Sequence, residues 1–140
     1  HEIIINEVMS GSEVNPEKDA WFELYNPGVD EILLGGWQVR GVTKGGKWIN
    51  LVAEDYRAIQ PHAYFLVSHY TNSKSSALEV RPQVNKTSIQ FPAGAIAIEL
   101  KDSTGALVDQ VQIERAGGET DFHSYERLDP MSDGLAVTSW

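Results

Sequence analysis

The chain contains no cysteine. Disulfides, thiolate nucleophiles and cysteine-ligated zinc are thereby excluded. No apolar run approaches the roughly 20 residues that a membrane-spanning helix needs, so no membrane insertion is expected. Basic residues are few: 11 Lys and Arg stand against 20 Asp and Glu, a formal net charge of −9. Such a surface repels phosphate backbones and anionic lipid, which disfavours nucleic acid as a partner. No segment keeps a helical period for three turns. No glycine loop is shaped to cradle phosphate; Gly35-Gly36 and Gly45-Gly46 read as turns. The four histidines lack metal-ligand spacing. Asp121, His123 and Ser124 hold the letters of a catalytic triad but lie too close in the chain to present its geometry.

What is present is alternation. At 140 residues, 41% hydrophobic and 22% charged, the chain suffices for one globular domain with a real core. Trp21, Glu23 and Tyr25 fall on one face of a strand, and Phe22, Leu24 and Asn26 on the other. Alternating or compact apolar runs recur at 37–42, 47–52, 63–68, 95–101 and 107–113. Gly45-Gly46 is expected to turn one hairpin, and Asp102-Ser103-Thr104-Gly105 another. Short strands punctuated by Gly, Pro, Asn and Asp predict an all-β sandwich or barrel. Polar stretches at 10–19, 70–82 and 116–121 read as surface loops. The start at His1, without methionine and just ahead of a strand, is expected of a mature domain excised from a larger protein.

Several blocks together resemble the lamin tail domain family in its bacterial and archaeal accessory form. They are Ile5-Asn6-Glu7-Val8, Trp21 through Pro27, Leu34-Gly35-Gly36-Trp37, and Tyr64-Phe65-Leu66-Val67. The Ile98 to Ile113 hairpin with Asp102, Gly105, Val108 and Asp109 follows, then Ser124-Tyr125-Glu126-Arg127 and the Thr138-Ser139-Trp140 ending. The resemblance implies an immunoglobulin-like β-sandwich of about eight or nine strands across residues 1–140. It also implies an exported or surface-attached setting and no catalytic residues. Two departures stand out. His62-Ala63 replaces the family's usual glycine after proline, and the first loop carries an added acidic run at 13–19.

Three residue sets are candidates for a site. Glu7 and Glu23 lie inside apolar strands, where an unpaired charge is costly. Arg127 sits in a similar setting, so a structural ion pair with Glu7 or Glu23 is expected. Glu13, Asn15, Glu17 and Asp19 offer oxygen ligands at alternate positions and form a possible calcium loop. Trp48, Tyr56 and Tyr70 are the rings expected at the surface for recognition, while Trp37 and Phe65 read as core. Together these predict a non-catalytic interaction or anchoring module, extracellular or at the cell surface, monomeric or weakly oligomeric. Its partner is expected to be a protein or a cell-surface glycan. The alternative is a calcium-assisted carbohydrate-binding module; otherwise no cofactor is expected.

Overall fold

Strand β2 (Trp21–Tyr25) is the middle strand of the larger sheet, and the predicted alternation is realised in it. Phe22 and Leu24 are fully buried in the main core, while Trp21, Glu23 and Tyr25 face the other way. The computed structural model describes residues 2–16, 18–71, 73–75, 78, 80–114 and 124–140. Glu17 and the 116–121 stretch, with Asp121 and His123, lie outside the described residues.

Around β2 the chain builds β1 (Ile4–Met9), β7 (Tyr64–Ser68), β8 (Val84–Asn85) and β11 (Tyr125–Glu126), in the order β11-β1-β2-β7-β8. The β7–β8 pairing is parallel; the other pairings are antiparallel. A second, four-stranded sheet has the order β10-β9-β4-β5. Its strands are β4 (Gln38–Arg40), β5 (Ile49–Asn50), β9 (Ile96–Lys101) and β10 (Leu107–Ile113). A small ribbon joins β3 (Ile32–Leu33) to β6 (Ala58–Ile59). The only other regular element among the described residues is a 3-10 turn at Val137–Ser139. No helix among them is long and apolar enough to cross a membrane.

Ile5, Val8, Phe22, Leu24, Phe65 and Val67 of the first sheet pack on Val39, Ile96, Ile98, Leu100, Val111 and Ile113 of the second. Trp37 is also buried there, as expected. The result is a two-layer, all-β sandwich. Among the described residues there are eleven strand segments, five of them two-residue pairings at edges or in the ribbon, in keeping with a sandwich of about eight or nine strands.

Two local details differ from expectation. A register shift between Ile5 and Glu7 in β1 inserts one residue. Such a bulge reverses which side later residues face. Val8 therefore enters the core, and Glu7 emerges opposite Glu23 on the outer face. The expected hairpin from β4 to β5 forms, but its strands pair only well away from Gly45-Gly46. Their connection is a long loop in which the Gly46 amide closes a turn on the Thr43 carbonyl at 3.0 Å. The β9–β10 hairpin forms as predicted. The Asp102 carboxylate accepts from the Thr104 amide and hydroxyl and the Ala106 amide, which hold its pKa below the usual value; the Thr104 hydroxyl is the largest contributor.

Candidate functional site

The expected pairing of Arg127 with Glu7 or Glu23 is not what the fold builds. Arg127 Nη2 donates to Asp109 Oδ2 at 2.9 Å, with both side chains essentially inaccessible to water. The same carboxylate oxygen accepts from the Ile5 amide at 2.8 Å. Arg127 Nη1 donates to the Ser132 carbonyl, and the Trp140 ring lies 5.2 Å from the guanidinium carbon. Burial pushes the Asp109 carboxyl above its ordinary value, against the pull of the Ile5 amide and the Arg127 cation. The bulge is the physical reason for the correction. By turning Glu7 outward, it leaves Asp109, inward-facing on β10, as the carboxylate within reach of Arg127. The sequence marked Asp109 only as part of the hairpin block; its place on the alternating face with Leu107, Val111 and Ile113 was the available signal. The outcome is a buried ion pair that ties β1, β10 and the C-terminal segment together.

Glu7 and Glu23 instead meet on the outer face of the five-stranded sheet. Glu126, Glu7 and Glu23 are cross-strand partners on β11, β1 and β2. Glu23 accepts from the Asn6 side-chain amide at 3.3 Å. Burial pushes its carboxyl pKa up, and the like charges of Glu7 and Glu126 add to that. One step along the same face, Tyr25 and Tyr64 are cross-strand partners with ring centroids 4.8 Å apart and planes tilted by 31°. Tyr64 is 55% exposed. Its phenol pKa is raised, first by desolvation and then by neighbouring Tyr25, Glu23 and Glu126. His62 stands beside this pair, its Nδ1 3.5 Å from the Tyr25 hydroxyl. At the other end of the face Met9, Trp21 and Leu66 are buried together, with Leu78 of the following loop packed on them. The chain's own Leu78 thus covers one half of the face; on the other half, among the described residues, Tyr64 and Glu126 are exposed and Glu7, Glu23 and Tyr25 are half-buried.

The remaining candidates do not converge. Glu13 is exposed, whereas Asp19 is buried and accepts from the Ser75 hydroxyl. The Asn15 carbonyl accepts from the Ser12 and Asp19 amides, which rounds the loop into a turn. Among the described residues no group of three His, Asp or Glu side chains is arranged to hold a metal ion. Trp48 is half-buried, with Lys101 Nζ 4.1 Å and the Arg40 guanidinium carbon 4.9 Å from its ring centre, while Arg40 also bonds Glu99. Tyr56 is 75% exposed on the loop before β6. Tyr70 packs edge-on against His69 after β7. No ring contact joins these three. An open groove of about 300 Å³ is lined by Glu2, Glu31, Trp37 and Asp102 among others, but Glu31 is bonded to Gln60 and Asp102 to its own turn.

A family model described as the Lamin Tail Domain matches residues 1–115. A search of curated proteins returns no match. The family is structural and immunoglobulin-like, generally non-catalytic, and the two-sheet core accords with that fold. On this match over most of its length, the chain belongs to the lamin tail domain family.

Proposed function

We propose that the chain is a non-catalytic interaction module of an exported or surface-attached protein, and that it engages a protein partner through the half of the outer five-stranded face that carries Tyr64 and Glu126. One observation carries this reading: exposed Tyr64 stacked on half-buried Tyr25 next to three aligned carboxylates, beside a stretch that the chain's own Leu78 covers. Tyrosine is enriched where proteins meet, because it offers rigid apolar area with a polar tip. The rest of the sandwich is the rigid support that holds this face.

The test is a photo-crosslinking residue at position 64, with the same residue at exposed position 56 as control, exposed to the native surface fraction. A protein adduct from position 64 and none from 56 is the expected result. Equal adducts from both, or none from 64, rejects the face. Glycan-array binding that disappears with a calcium chelator would move the assignment to the carbohydrate-binding alternative.

A further inference from the structure

We propose that this half-face receives a lysine- or arginine-bearing peptide segment of a partner protein, its cation seated against Tyr25 and Tyr64 and neutralised by Glu7, Glu23 and Glu126. The inference rests on the interaction reading above and adds the partner's chemistry.

The register makes the case. Like charges placed directly opposite across strands destabilise a sheet, yet Glu126, Glu7 and Glu23 stand side by side on three neighbouring strands. Among the described residues no Lys, Arg or His forms an ion pair with any of them; Glu23 has only the Asn6 amide. Among the described residues the row lacks a cation, and the net charge of −9 draws a basic segment toward it. The tyrosines supply what a bare acidic row lacks, an aromatic face that attracts a cation and gives it a fixed seat. The chain uses the same chemistry within itself on the opposite sheet, where Lys101 and Arg40 lie over Trp48 and Glu99 bonds Arg40. Charge complementarity therefore selects a basic segment over an acidic or purely apolar one. The outer surface of a sheet suits an extended peptide.

Calorimetric titration with a peptide of alternating lysine and serine, and with its glutamate–serine counterpart, tests the proposal. The lysine peptide is expected to bind saturably and the glutamate peptide not at all. Combined Glu7→Gln, Glu23→Gln and Glu126→Gln should weaken binding at least about tenfold, and Tyr64→Ala about threefold to tenfold. A charge-matched control, Glu13→Gln with Glu54→Gln and Asp55→Asn, should change it less than about twofold. The glutamine triple removes repulsion, so a thermal melt at or above wild type is expected to confirm that it folds. An equal loss in the control, no effect of Tyr64→Ala, or no binding to wild type overturns the proposal. So does sedimentation showing that the face is occupied by a second copy. If the peptide fails while position 64 still crosslinks a protein, the cation chemistry falls and the interaction reading stands; if both fail, both fall.

Discussion

Arg127 and Asp109 set two charges where almost no water reaches, and at such a site removing one partner is worse than removing both. Arg127→Leu strands the Asp109 carboxylate and is expected to lower stability by about 3–5 kcal/mol. The double variant Asp109→Leu/Arg127→Leu should recover much of that loss in denaturant unfolding. A double variant no better than the single would show that the pair's geometry, not its uncompensated charge, matters. Gly134 belongs to the same site, since a Cβ there would sit 2.5 Å from Arg127 Nη2 and 2.4 Å from the Gln110 carbonyl oxygen. Glu23 behaves in the opposite sense. Its folded pKa is raised by burial and by Glu7 and Glu126, so the ionised form is less favourable in the folded state than in the unfolded chain. The penalty is present at neutral pH and is lost as pH falls through the raised value and then below the ordinary one. Glu23→Gln should therefore melt above wild type at pH 7, and the two curves should converge under acid conditions.

At the scale of elements, the turn entering β7 shows how far the chain could be read in advance. The Ala63 amide closes on the Gln60 carbonyl at 3.1 Å, with Pro61 and His62 between them, and His62 has φ +58°. A proline followed by a left-handed residue fits a type II turn, whose third position favours glycine. That accounts for the family's usual glycine here and marks His62 as strained. His62→Gly is expected to raise stability by up to about 1 kcal/mol, the strain relieved being partly offset by the freer unfolded chain. Chemical denaturation measures it, and a loss of stability would mean that the imidazole contact with Tyr25 outweighs the strain. The strands were legible because side-chain alternation is local. The bulge in β1 was not, since one inserted residue depends on its partner strand, and it redirected the Glu7 assignment. The Asn26-Pro27 stop was visible as a turn. The role of Asn26 appears only once folded: its side chain donates to the Asp30 and Ile59 carbonyls and accepts from the Gly28 amide. The C-terminal segment makes the same point beyond the matched residues 1–115. Its Arg127 and Trp140, with the Gly134 carbonyl accepting from the Gln112 amide, close one end of the sandwich.

For the molecule as a whole, the question is whether its charges on balance hold the fold together or push it apart. The formal charge is −9, and the one exposed ion pair recorded among the described residues is Arg40 with Glu99. Exposed pairs contribute little and are screened by salt. The Arg127–Asp109 pair is shielded from salt by burial. Self-repulsion is the larger salt-sensitive effect, and it includes the Glu126–Glu7–Glu23 row. At about 0.1 M salt the screening length is about 10 Å, longer than the step between neighbouring strands. The row's internal repulsion is therefore only partly relieved there, while repulsion across the whole surface is largely removed. The melting temperature should rise by about 2–4 °C between low salt and 0.5 M sodium chloride. The rise should be smaller, from a higher starting point, in the Glu7→Gln/Glu23→Gln/Glu126→Gln variant. A melting temperature that falls with added salt would mean that attractive surface pairs outweigh the net charge, and the outer acidic row could then no longer be treated as unneutralised.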